Sequence, residues 1–213
     1  MSSTFEVDDT VDEPIDGRTA RAVRTRHAIV DACIELVAEG DLRPTAPRIA
    51  ERASVSVRSI FQHFDDLETL YTAVGARVAE QVVALHRPID PSAPLADRVK
   101  EFLDQRCAMN ETLSPTMRAA VVHAPGSQTI NRQFQVGHSW LGELVESVFG
   151  ADLDPLEDRR GPAFHALWMA SSWSTWNLLR TVENRSIPEA RAVVAGLFSL
   201  VWPELAGGEE AVG

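Results

Sequence analysis

The chain has 213 residues, 45% of them apolar and 24% charged, with a formal net charge of -11. Those proportions belong to a globular chain that buries its own core and exclude a disordered one, and no run approaches the roughly 18 apolar residues of a membrane-spanning helix. The acidic start MSSTFEVDDTVDEP is the opposite of a signal peptide, so a cytoplasmic protein is expected.

The charge is unevenly distributed. Residues 1–17 carry six acids and no base, residues 18–64 eight arginines against five acids, and the remainder 12 bases against 20 acids. The only cationic block is therefore residues 18–64, and an acidic remainder would orient that block toward a polyanion. Residues 1–17, poor in apolar side chains and broken by Pro14, read as a disordered arm, and residues 206–213, with GlyGlyGluGlu, as a flexible tail.

From Thr19 or Thr25 to Glu39 the stripe Ile29, Cys33, Leu36 and Val37 predicts an amphipathic helix that stops at Gly40, with Arg18, Arg21 and Arg24 a turn apart at its start. The next stretch, TAPRIAERASVSVRSIFQHF, spans Thr45 to Phe64 and has the pattern of a helix-turn-helix. Thr45 is placed to cap a short helix with Pro47 in its first turn, and Ala50 and Ala53 are small enough for a second helix to cross closely. Ser54-Val55-Ser56 forms the turn, with Val55 as its buried plug. Ser56 caps a second helix whose inner face is Ile60 and Phe64 and whose outer face is Val57, Arg58, Ser59, Gln62 and His63. Asp65 or Asp66 then caps a long helix from Leu67 to about Leu85, with Leu70, Val74, Val78 and Val82 on one stripe.

Three prolines between Pro88 and Pro94 break the chain. Beyond them, helices are predicted at Leu95–Met109, Ser114–His123, Gln128–Phe149, Pro162–Glu183 and Pro188–Leu205, bounded by prolines and glycines, with no competing strand pattern. The fold class expected is all-α. Each of the last two helices carries more apolar side chains than one face holds, so both need a partner surface, as in a four-helix bundle between two copies. The two cysteines, Cys33 and Cys107, lie in apolar helical patterns and read as buried free thiols.

Residues 25–73, with TRHAIVDACIELVAEG, I-A-E-R-A-x-V-S, S-I-F-x-H-F and LETLYTAV in this order and spacing, resemble the DNA-binding domain of the tetracycline-repressor (TetR) family of bacterial regulators. The resemblance implies a helix-turn-helix domain over residues 18–66 and an effector-binding and dimerisation domain over residues 67–205. It implies a homodimer on double-stranded operator DNA, most readily a repressor released from a palindrome by a small, largely apolar effector. An activator, or a member regulated by a protein partner, is the alternative within the same fold; a helical enzyme or orphan binding module is the alternative outside it.

Carried over by position, the family's phosphate contacts fall on Ala46, Ser59, Gln62 and His63 and its base-reading positions on Pro47, Val57, Arg58 and Phe61, with the capping residues Thr45 and Ser56 between them. Arg18, Arg21, Arg24 and Arg26, as an arm that can lie along DNA before the first helix, and Arg48 are further candidates for DNA contact. Arg58 stands where a small residue is usual and can engage a guanine edge with two donors, Phe61 replaces the common Tyr, and Leu67 stands where Lys is frequent. The resemblance puts the effector pocket among the middle helices, with Phe102, Arg106, Met109, Met117, Phe134, His138, Trp168 and Trp173 as candidate lining residues. In particular, a polar or acidic effector end is expected near Arg106 or His138, its body near Trp168 and Phe134. For the dimer the candidates are Leu178, Val194, Leu197, Phe198 and Val201. No cofactor or metal is expected: the six histidines are scattered singly, without ligand spacing, and no nucleophile elbow or phosphate-binding glycine motif occurs.

Overall fold

In the computed structural model residues 17–203 and Leu205 are described; the predicted arm, apart from Gly17, and the predicted tail lie outside the described residues. Among the described residues every regular element is helical, and no helix is long and apolar enough to cross a membrane.

Helix α1 (Gly17–Ala38) buries Ile29, Val30, Ala32, Cys33, Leu36 and Val37. It ends where Gly40 takes φ 98°, a conformation that glycine adopts without strain, and the Gly40 and Asp41 N–H groups return to the Val37 and Leu36 carbonyls. Helices α2 (Ala46–Arg52) and α3 (Val57–His63) cross against it. Ile49, Ala50, Ile60 and Phe64 join the α1 stripe, Leu70 and Val74 in one apolar cluster, the core of the head, with Val55 half-buried at its edge.

Helix α4 (Leu67–Leu85) is shared between two cores. Leu70 and Val74 belong to the head, whereas Val78 and Val82 pack on Met109 of the body. The head core takes in the first half of α4, and the change to the body core comes between Val74 and Val78.

Helix α5 runs unbroken from Leu95 to His123 with Pro115 inside it, where two helices were expected. An interior proline removes one backbone bond at a cost of roughly 3 kcal/mol, and packing along both sides outweighs it. The Ser114 hydroxyl ties back to the Asn110 carbonyl at 2.7 Å and accepts the Trp173 indole N–H at 3.0 Å. After a short 3-10 turn, α6 (Gln128–Leu153) is capped by Ser127, whose hydroxyl accepts the Ile130 N–H at 3.1 Å.

The helix expected at Pro162–Glu183 is broken in two. Helix α7 (Arg160–Ala170) ends at Ser171; Ser172 then caps α8 (Trp173–Asn177), which continues as a π-helical turn over Leu178–Val182. Helix α9 (Ile187–Val201) opens with a capping box between Ser186 and Glu189. The body core is centred on the rings of Phe102, Phe149, Phe198 and Trp202, neighbouring centroids lying 5.1 to 6.5 Å apart.

Candidate nucleic-acid interface

Helix α3 is fixed at both ends by side-chain chemistry. Ser56 holds an extended backbone, and its hydroxyl accepts the Ser59 N–H at 3.1 Å, so the cap read from sequence is made. Thr45 has the same backbone geometry, yet its side chain makes no capping bond; its carbonyl alone starts α2, accepting the Ile49 N–H. At the far end of α3, Arg26 of α1 donates to the His63 carbonyl at 2.7 Å and lies over the Phe64 ring at 4.2 Å. A cation there satisfies an end carbonyl and complements the helix dipole.

In front of α3 lies an open groove of about 470 Å³, lined by Arg18, Arg21, Ala22 and Thr25 of α1 and by Val55, Ser56, Ser59, Gln62 and His63. Arg24 is exposed but does not line it. Ala22 and Thr25, absent from the sequence-derived set, enter because the groove follows the i, i+3, i+4, i+7 face of α1, and Arg24 lies off that face. Beside the groove, Val57 and Phe61 project outward, Phe61 with 50% of its surface free. Arg58 is exposed and makes no hydrogen bond or ion pair to any described residue.

Two expected contacts are placed differently. The Ala46 side chain is buried in the head core, so only its backbone can face a phosphate. Arg48 is exposed but holds Asp41 at 2.5 Å, so its charge is already locally paired; Pro47 beside it is open. Arg52, on the same helix, ties α2 to α1 through Glu39 at 2.7 Å and Glu35 at 3.2 Å and holds the Glu39 carboxyl below its usual range. At the start of α4, bonds from the backbone N–H and the hydroxyl of Thr69 hold Asp66 below the usual carboxylate range. That helix end is thus occupied by an anion of its own.

Among the described residues, three side-chain bonds join the head to the body. His123 donates to the Leu42 carbonyl at 3.2 Å, Ser127 donates to the Glu68 carboxylate at 2.6 Å and Gln133 donates to the Thr72 carbonyl at 3.2 Å. Gly75 permits the last: a Cβ there would meet the Gln133 amide oxygen at 2.8 Å.

The candidate effector residues do not form one group. Phe102 is wholly buried within the ring cluster of the core, and Met109 packs under α4. Arg106 is buried against the Ser171 carbonyl. Half-buried Trp168 donates to the carbonyl of exposed His138 at 3.1 Å, the two rings 5.5 Å apart, so the site anticipated there is a surface patch. Trp173 is engaged by Ser114, and Met117 and Phe134 are half-buried.

Nor do the candidate dimer residues. Val194 and Phe198 face their own chain's core, 4% and 0% exposed, because residues 190, 194 and 198 form the inward stripe of α9. The outward stripe holds Leu197 and Leu200 with half-buried Val193 and Val201, and Leu178, Met169 and Val182 are exposed as well.

Residues 29–74 match the family model of the bacterial regulatory proteins, tetR family. The chain carries a TetR-family head. The matched segment runs from the first buried residue of α1 to the last α4 residue in the head core, so it covers the helix-turn-helix with both of its supports. Solved structures extend the TetR-like fold over the body. A tetR-family transcriptional regulator from Streptomyces coelicolor superposes with a TM-score of 0.61 at 15% identity, covering 88% of this chain and 84% of that one. A TerR/AcrR-family transcriptional regulator from Aquifex aeolicus VF5 gives 0.56 at 15% identity, covering 84% and 99%. A transcriptional regulator from Rhodococcus sp. Rha1 gives 0.57 at 14% identity, covering 86% and 96%. No curated protein matches the sequence. TetR-family regulators bind DNA and are not enzymes, as the sequence led one to expect.

Proposed function

We propose that this TetR-family chain is a homodimeric repressor that binds a palindromic operator and leaves it when a small, largely apolar molecule enters the body. The observation that carries this is the groove: arginines of α1 flank the capped start and exposed face of α3, an arrangement suited to phosphate contacts from one wall and base reading beside it. A two-fold pair of such heads suits half-sites about 34 Å apart, one DNA turn.

Dimerisation is supported by the exposed apolar stripe on the α7–α9 side, where Leu200 is 79% and Val182 71% free. Release is supported by α4, one helix in both cores, which would carry a displacement of Val78 and Val82 to Leu70 and Val74. An effector must bind the non-binding arrangement more tightly, since equal affinity for both shifts nothing. The repressor sense is tested with a promoter fusion carrying a selected operator: added protein should lower transcription from it. A rise would instead make the protein an activator.

A further inference from the structure

Arg106 sits in the middle of α5, 5% exposed, and no acidic side chain among the described residues bonds or pairs with it. Its Nε and Nη2 donate to the Ser171 carbonyl at 3.3 and 3.1 Å, and Nη2 also reaches the Asn110 amide oxygen at 2.9 Å. Nη1 meets only the Met109 sulfur at 3.5 Å, a weak acceptor. Arg98, two turns earlier and equally buried, shows the ordinary solution: both its terminal nitrogens fork onto Asp152, at 2.7 and 2.8 Å. Desolvation pushes the Arg106 guanidinium down to about 10, which still leaves it a cation at neutral pH. The Ser171 carbonyl, at the end of α7, supplies at most the half-charge of a helix terminus. A net positive charge stays buried.

His86 is a second unsatisfied group. The Nδ1 of His86, at the end of α4, is buried with no hydrogen-bond partner among the described residues. The His86 ring meets Trp140 edge-on at 5.9 Å, and Trp140 borders the cluster of Val78, Val82 and Met109. Met109 thus touches both neighbourhoods, its sulfur on Arg106 and its side chain in the cluster that Trp140 borders. Methionine, unbranched with three rotatable bonds, is the core side chain most readily displaced.

We infer that Arg106 is the anion-binding end of an effector site whose ligand is a small organic carboxylate with an apolar body. The body takes the place of Met109 against Val78, Val82 and Trp140, and the carboxylate accepts from Arg106 Nη1, with His86 Nδ1 a further polar partner. A single buried cation balances a monoanion; a phosphate dianion would leave a buried negative charge in its place. The inference rests on the reading that the body binds an effector, and of the two places expected for the ligand head, Arg106 and His138, it takes the Arg106 interior. It also supplies the switch with a lever, since the displaced cluster includes Val78 and Val82 of α4.

The test uses the full chain with two probes, sodium decanoate and sodium naphthoate, each against its uncharged methyl ester, followed by tryptophan fluorescence and thermal melting. At least one acid should bind the wild type about tenfold or more tightly than its ester, as a charge-assisted bond in a buried site predicts. Arg106→Met should erase that preference and Arg106→Lys should keep part of it, each variant still unfolding in a cooperative thermal transition. Equal binding of acid and ester by wild type, or a preference that survives Arg106→Met, overturns the inference. Ligand-free wild type is assayed on operator DNA in parallel: loss of that complex counts against the proposed function and leaves the acid-ester comparison to be read by itself.

Discussion

Arg26 and Arg58 sit at opposite sides of α3 and act in different ways. Arg26 is spent on the protein, bonded to the His63 carbonyl and stacked over Phe64. Arg26→Ala should therefore lower stability by about 1.5–3 kcal/mol, the worth of a hydrogen bond to a charged group, read from the denaturant midpoint. Arg58 has no partner among the described residues and faces outward. If it reads a base, Arg58→Ala leaves stability unchanged and costs about 1–3 kcal/mol at one operator position, seen as lost discrimination there in competition binding; unaltered selectivity would remove it from the base-reading set. Arg21, on the groove wall, should behave as a phosphate contact, its alanine variant weakening all sequences alike and lowering the salt slope by about one. The two thiols belong to this scale also. Burial pushes Cys33 up to about 12 and Cys107 up to about 11, so almost no thiolate forms near neutrality. Iodoacetamide should modify neither at pH 8 (~8, near an ordinary thiol's pKa) until the protein is unfolded; rapid native labelling would show that the helices open locally.

At the scale of elements, much was legible in the sequence where chemistry is local. The caps at Ser56 and Asp66, the Gly40 stop and the stripe of α4 follow from side chains acting on their own backbone. What was hidden depends on partners far along the chain. The run HALWMASSWSTWNLL has unbroken apolar periodicity, and neither glycine nor proline interrupts it. The break comes from Ser172, whose hydroxyl caps Thr175, and from Arg106 and Asn110, which take up the Ser171 carbonyl from 65 and 61 residues away. Pro115 misled in the opposite direction, because a helix held on both sides tolerates one missing bond. The candidate site divides along the same line: the exposure of its candidate DNA-contacting residues on α3 follows from position in a local motif, whereas the effector set depended on which rings close the core. Removing the cap with Ser172→Ala should cost about 1 kcal/mol in thermal unfolding; no loss would mean that the distant bonds alone end α7.

For the whole molecule, the inward stripe of α9 is committed to the chain's own core, so a charge at Phe198 would test folding and not assembly. Leu200, on the outward stripe, separates the two. Leu200→Asp should give a folded monomer by light scattering, with helical content kept and DNA affinity reduced, because two heads no longer bind together. A variant that stays dimeric would move the interface off α9.

The net charge of -11 sets the other whole-molecule property. With only the head cationic, non-specific DNA binding should be weak and operator binding should rest on the paired grooves. The most direct measurement is a selection from a pool of randomised DNA duplexes by the full-length protein, with the mass of the bound complex determined on the winning sequence. The account predicts enrichment of an inverted repeat bound by two protomers; a pool recovered without enrichment, or a single protomer on an asymmetric site, would contradict it.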